Sequence, residues 1–74
     1  MILTRLAEVM AARKMRNLTE LSRRTGLARN TLAALWYGRA KGVNFPTLDA
    51  LCKALNCQPG DLLVYVPDEE GDSR

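Results

Sequence analysis

Hydrophobic positions recur along this chain three or four residues apart, which is the spacing of amphipathic helices. Four such stripes occur: Ile2, Leu6, Val9 and Met10; Leu18, Leu21, Ser22 and Thr25; Leu32 and Leu35; and Leu48, Leu51, Cys52 and Leu55. The first stripe predicts a helix that ends near Lys14. A short fifth helix over residues 58–63 follows, with Pro59 near its first position. The pattern therefore predicts an all-α fold of five helices.

Residues 64–66, Val-Tyr-Val, break the helical pattern because they are β-prone. They predict a short C-terminal extended segment that either lies along the domain or pairs with a second copy as an exposed edge. Pro67 ends this segment. We expect residues 1–67 to form one domain and the acidic tail, residues 68–74, to be disordered.

Polar residues and glycines mark the ends of the second and third helices. Asn17 precedes the second helix and Glu20 follows three residues later, which resembles a capping box. Gly26 ends that helix, because glycine adopts the left-handed conformation of a helix C-terminus without a steric clash. The third helix is predicted over residues 29–37, and a second glycine closes it.

The third helix has a face that differs from an ordinary solvated surface. At 100° per residue its two leucines face the core. The opposite side carries Asn30, Ala33, Ala34 and Tyr37, with Arg29 at its flank. This face is small in its middle and polar at its ends, so the helix backbone can closely approach another surface. The major groove of B-DNA is such a surface, because it admits an α-helix.

Residues 18–38, LTELSRRTGLARNTLAALWYG, resemble the helix-turn-helix of Cro/lambda-repressor-type regulators, the xenobiotic-response-element family. The later segments NFPTLDALCKAL and NCQPGDLL resemble the fourth and fifth helices of small members, so the resemblance covers roughly residues 2–66. Two positions differ from the family pattern. Leu18 stands where several members carry a glutamine that bridges phosphate and the second helix of the motif. Ala28 stands where serine is usual, which weakens the cap of the recognition helix by about 1 kcal/mol.

The resemblance implies a lambda-repressor-like domain that binds double-stranded DNA and regulates transcription, and we expect it to act as a repressor. The expected base-contacting residues are Arg29, Asn30, Ala33 and Ala34. The expected phosphate-contacting residues are Arg16, Thr31, Tyr37, Arg39 and Lys41. One module this small makes few base contacts, so we expect a homodimer on a palindromic operator with half-sites about 34 Å apart.

The distribution of charge favours a nucleic-acid partner. The whole chain carries +3, but residues 1–67 hold ten basic and four acidic residues, or +6. Residues 13–41 hold eight basic residues against Glu20 alone, or +7. A positive field concentrated around the proposed reading helix is typical of a DNA-binding domain. The alternative is that these side chains only keep a small helical domain in solution.

Other functional classes find little support in the sequence. Histidine is absent, and there is no glycine-rich phosphate loop or activated nucleophile, so we predict no enzymatic activity and no cofactor. Cys52 and Cys57 cannot complete a four-ligand zinc site and are expected to be buried free thiols. No segment is apolar enough for export or for spanning a membrane, so a cytoplasmic location in a bacterium, phage or mobile element is expected. The competing function is a protein-interaction module, antitoxin-like or adaptor, on the same scaffold.

Overall fold

The computed structural model describes residues 1–67, which form five helices and two short strands. In chain order the elements are β1 (Ile2–Thr4), α1 (Leu6–Ala12), α2 (Leu18–Thr25), α3 (Arg29–Trp36), α4 (Phe45–Leu55), α5 (Pro59–Leu62) and β2 (Leu63–Tyr65). The five predicted helices are therefore present. The predicted disorder of the acidic tail lies outside the described residues. Among residues 1–67, no helix has the length and apolar character needed to cross a membrane.

The two strands pair with each other, which corrects the all-α prediction. β1 and β2 are antiparallel, with Ile2 opposite Tyr65, Leu3 opposite Val64 and Thr4 opposite Leu63. We call this pair the terminal sheet. The C-terminal extended segment thus pairs with the N-terminus of its own chain, which neither of the two predicted arrangements described. The periodicity misled because Ile2 is four residues from Leu6, a spacing that fits a helix as well as a strand followed by a helix.

The N-terminal residues consequently leave the predicted first helix. Ile2 is 63% exposed and does not belong to the core, and α1 begins only at Leu6. Nearby, the Thr4 hydroxyl donates to the carbonyl of Leu35 at 2.6 Å. This hydrogen bond and the strand pairing with β2 select the extended conformation, because an isolated first turn of helix would offer those residues no partner.

The core is aliphatic and lies between the helices. Its buried members are Leu6, Met10, Met15, Leu21, Leu32, Leu35, Leu51, Leu55 and Leu62. Each of the five helices contributes at least one of them. All four predicted stripes therefore face the core, with the exception of Ile2 at the start of the first stripe. Met15 was not predicted, because it lies in the connection between α1 and α2, outside any stripe.

Side-chain caps fix where the longer helices begin and end. Asn17 accepts a hydrogen bond from the Glu20 amide at 2.8 Å, as the capping pattern predicts, and Asn44 accepts one from the Thr47 amide at 2.9 Å. The Glu20 carboxylate binds Arg24 at 3.0 Å instead of the Asn17 amide, so only the Asn17 half of the predicted capping box forms. Gly26 follows α2 with φ of 76°, the left-handed conformation predicted for it.

Candidate nucleic-acid interface

Two hydroxyl groups hold the turn that joins α2 to α3. The Ser22 hydroxyl donates to the carbonyl of Leu27 at 2.6 Å, and the Thr25 hydroxyl donates to the carbonyl of Leu21 at 2.8 Å. The Thr25 oxygen also accepts a hydrogen bond from the amide of Leu27 at 3.1 Å. These bonds, together with the left-handed Gly26, set the angle at which α3 leaves α2. They explain why polar Ser22 and Thr25 occupy positions on a hydrophobic stripe.

Helix α3 is held by its inner face and is left open on its outer face. Leu32 is completely buried and Leu35 nearly so, which confirms the predicted packing side. At its N-terminus, Ala28 has the extended conformation of a cap residue but offers no side-chain hydrogen bond. The first amides of α3 therefore have no side-chain cap, as the departure from serine predicts.

The predicted base-contacting residues share the outer side of α3. Arg29 and Asn30 are exposed in its first turn, while Ala33 and Ala34 are half-buried further along. Thr31 is also exposed. The exposed arginine and amide groups can donate and accept hydrogen bonds in the pattern that guanine and adenine present in the major groove.

The end of α3 brings two predicted phosphate-contacting residues together. The Arg39 guanidinium carbon lies 4.9 Å from the centroid of the Tyr37 ring, in a cation–π contact. Tyr37 is 66% exposed, so both the ring and the cation face solvent. The backbone amides of Arg39 and Ala40 both donate to the carbonyl of Ala34, at 2.8 and 3.1 Å, and so hold the chain close to the helix end.

The other two predicted phosphate contacts lie in connecting segments. Lys41 is exposed in the α3–α4 connection, two residues beyond Arg39. Arg16 is exposed directly before the cap of α2. Within residues 1–67, no hydrogen bond or ion pair joins Arg16 to α3, so the structure leaves it separate from the Tyr37–Arg39 pair.

The sequence did not predict two long-range side-chain contacts, one to α3 and one to α4. Thr4 binds the last turn of α3 through Leu35, and Arg13 binds the C-terminus of α4. The Arg13 guanidinium donates to the carbonyl of Leu55 at 2.7 Å and to that of Asn56 at 3.0 Å. Arg13 therefore stabilises the packing of α1 against the end of α4, whereas its position in the basic segment suggested that it lies near DNA. No sequence signal identifies either contact, because 31 and 42 residues separate the partners.

The two cysteines are free thiols, as predicted, but both are only half-buried. Cys52 lies on α4 and packs against the core. The backbone amide of Cys57 donates to the backbone carbonyl of Cys52 at 3.1 Å. Burial, followed by the neighbouring Cys52, raises the pKa of the Cys57 thiol. A raised pKa keeps this thiol protonated, which disfavours its action as a nucleophile or metal ligand.

Two helices joined by a rigid glycine turn, with the second exposing arginine and amide groups, define the helix-turn-helix class of DNA-binding domains. Comparison with known families agrees, because residues 5–68 match the Cro/C1-type HTH DNA-binding domain. The chain belongs to this family of DNA-binding transcriptional regulators, which confirms the resemblance found in the sequence.

A curated relative from Bacillus subtilis (strain 168) is similar over most of both chains. It is the uncharacterized HTH-type transcriptional regulator YozG, with 48% identity over 63 residues, which cover 85% of this chain and 75% of the relative. No solved structure matches the chain significantly.

Proposed function

We propose that this protein is a sequence-specific repressor that reads the major groove of double-stranded DNA with α3 and acts as a homodimer on a palindromic operator in the bacterial cytoplasm. The observation that carries this proposal is the outer side of α3. Arg29 and Asn30 are exposed in its first turn, and the half-buried Ala33 and Ala34 follow them. Arg29 suits guanine O6 and N7, Asn30 suits adenine N6 and N7, and the alanines suit thymine methyl groups.

The proposed phosphate contacts surround this reading surface. Tyr37 and Arg39 would bind the backbone beyond the end of α3, since their cation–π contact presents the guanidinium together with the phenol. Lys41, Arg16 and Thr31 would supply further contacts. Such contacts carry no sequence information themselves, but they fix the register of the helix in the groove.

Titration of labelled duplexes tests the proposal directly. At about 50 mM salt the protein should bind random duplex, and binding should weaken by orders of magnitude toward about 200 mM because counterions are released. A duplex selected from random DNA should bind at least about a thousandfold more tightly than random duplex at one salt concentration. A selected operator placed in a promoter should then lower reporter expression when the protein is present.

If the protein does not bind DNA, the alternative function is that of a protein-interaction module on the same scaffold. A folded protein that ignores every duplex in dilute buffer would contradict DNA reading by α3. Raised reporter expression would leave DNA binding intact and would contradict repression alone.

A further inference from the structure

Exposed hydrophobic side chains concentrate on the terminal sheet. Among residues 1–67, seven large hydrophobic residues are exposed, and five of them belong to or adjoin the two strands: Met1, Ile2, Leu3, Tyr65 and Val66. Taking about 180 Å² for a free residue of this size, they expose about 500 Å² per copy.

The terminal sheet also lacks the features that normally protect a strand edge. Residues 1–4 and 62–66 contain no charged side chain and no proline, and neither strand has a bulge in its register. Natural proteins use such charges, prolines or bulges to prevent edge-to-edge pairing. The charges nearest the two strands are the Met1 α-ammonium, which donates to the Val66 carbonyl, and Arg5, which pairs with Glu8.

The backbone of β1 presents unpaired groups at its outer edge. Met1 and Val66 exchange two hydrogen bonds, and the Arg5 amide donates to the carbonyl of Leu62 at 2.7 Å. Because antiparallel pairs alternate, Leu3 and its opposite residue also form a hydrogen-bonded pair. The N–H and C=O groups of Ile2 and Thr4 therefore point away from β2, and no hydrogen bond within residues 1–67 uses them.

The outer edge of β2 is less complete. The Leu63 amide is already used by the carbonyl of Pro59, which leaves only one donor, that of Tyr65, facing outward from this strand. β1 is therefore the edge that offers a full, self-complementary set of donors and acceptors.

We propose that a second copy of this chain pairs with β1, antiparallel and across a two-fold axis at Leu3, to form a four-stranded sheet. In this register Ile2 of one copy lies opposite Thr4 of the other, and the two residues exchange both backbone hydrogen bonds. The symmetry repeats this pair, giving four intermolecular bonds. The two Leu3 residues then face each other as a pair without hydrogen bonds, with Cα atoms about 4.5 Å apart.

The surroundings of β1 can accept the second strand. A groove of about 260 Å³ separates β1 from the end of α3, and its far side is lined by Trp36, Tyr37, Gly38 and Ala40. A second strand in this groove lies beside the proposed phosphate contact Tyr37. Ile2 of the second copy enters this groove, because cross-strand neighbours point to the same face and Thr4 faces it. The interface thus adds side-chain packing to the backbone bonds.

This arrangement deepens the proposed function and rests on it, since it supplies the dimer that a palindromic operator requires. The Thr4–Leu35 bond ties β1 to the last turn of α3, whereas Arg29 and Asn30 lie in the first turn, about 8–9 Å away along the helix axis. A second copy on β1 therefore leaves Arg29 and Asn30 uncovered and sets the two recognition helices about one axis.

Charge at the two-fold axis tests the interface. Leu3→Lys and Leu3→Glu each place like charges opposite each other, so each variant should be monomeric by analytical ultracentrifugation, with the dimer dissociation constant raised at least tenfold. An equimolar mixture should dimerise again because the charges become opposite. Phe45→Lys is the matched control, since Phe45 is 83% exposed but lies on α4, and this variant should dimerise like the parent.

Cross-linking provides a second test that does not depend on disrupting the sheet. Leu3→Cys should form an intermolecular disulfide under mild oxidation, because the expected Cα separation suits one. Phe45→Cys and the parent protein should not cross-link. A Leu3→Cys protein that stays uncross-linked, or a Leu3→Lys protein that dimerises like the parent, would overturn the β1 interface.

Duplex binding, measured on the same samples, separates this inference from the proposed function. A parent protein that is monomeric at about 100 μM yet binds a selected duplex would refute the interface and leave DNA reading intact. A dimer that cross-links through Leu3→Cys but binds no duplex would refute DNA reading and leave the interface intact.

Discussion

At the scale of single residues, the chemistry of the reading surface rests on Asn30. Its amide is exposed in the first turn of α3 and can make two hydrogen bonds to adenine. We expect Asn30→Ala to lower the discrimination between operator and random duplex by about 1–3 kcal/mol, because the amide contact to the base is lost. Parallel titrations of both duplexes measure this difference.

The control for Asn30 is Gln58→Ala, which removes an exposed amide outside the helix-turn-helix. Because Gln58 caps α5, urea denaturation first checks that this variant is folded. This variant should keep the parent discrimination. An Asn30→Ala protein that unfolds at the parent urea concentration and still separates the two duplexes equally well would argue against base reading at this position.

Arg13 and Arg16 are three residues apart, but they have different roles in the structure. Arg13 binds two carbonyls at the end of α4, whereas Arg16 makes no hydrogen bond or ion pair within residues 1–67. Arg13→Ala should lower the free energy of unfolding by about 1–2 kcal/mol, because charged hydrogen bonds to a helix C-terminus are lost. Urea denaturation measures the change.

Arg16→Ala provides the comparison for Arg13, since the same charge is removed from the same basic segment. Its unfolding free energy should stay within about 0.5 kcal/mol of the parent value. Equal losses in the two variants would mean that net charge, and not the contact with α4, determines stability here.

At the scale of elements, α3 begins without a side-chain cap. Ala28 already has the extended backbone of a cap residue, with φ of −64° and ψ of 142°. Ala28→Ser should therefore stabilise the domain by about 1 kcal/mol without moving the backbone, which corresponds to a rise in Tm of about 4–8 °C. Thermal unfolding followed by circular dichroism measures this rise.

A serine inside a helix provides the contrast. Ala11→Ser lies on the exposed side of α1 and should lower stability by a few tenths of a kcal/mol, since serine is a weaker helix former than alanine. If Ala28→Ser also lowered Tm, the backbone at Ala28 could not have the extended conformation of a cap residue.

At the scale of the whole molecule, the uneven distribution of cations should govern the salt dependence of DNA binding. Lys41 follows the recognition helix, whereas Lys53 is exposed on α4, where a groove contains it together with Asp49 and Arg24. Lys41→Ala should reduce the slope of log affinity against log salt by about 0.9, the amount expected for one phosphate contact.

Lys53→Ala removes the same charge from the molecule and should leave that slope unchanged. The pair therefore distinguishes a local phosphate contact from a general effect of net charge. Equal reductions in both variants would exclude a specific contact between Lys41 and a phosphate.

Periodicity and end signals were sufficient for most of the helical part of the domain. Leu21, Leu32, Leu51 and Leu55 were predicted to be buried and are buried, because a stripe at helical spacing leaves a folded chain few other ways to remove them from water. Asn17 and Gly26 marked the ends of α2 correctly, since caps act within one turn of the helix. The family followed from the same local features, because the turn and its flanking leucines are contiguous in sequence.

Only the tertiary structure decided the features that depend on residues distant in sequence. The pairing of Ile2–Thr4 with Leu63–Tyr65, the bond from Thr4 to Leu35 and the contact of Arg13 with α4 each join segments at least 31 residues apart. The local sequence near Ile2 is compatible with helix and strand, and the energy that selects the strand comes from its partner. Local patterns therefore determined the helices and the family, whereas long-range pairing determined the terminal sheet, because a hydrogen-bonding partner distant in sequence leaves no mark on local spacing.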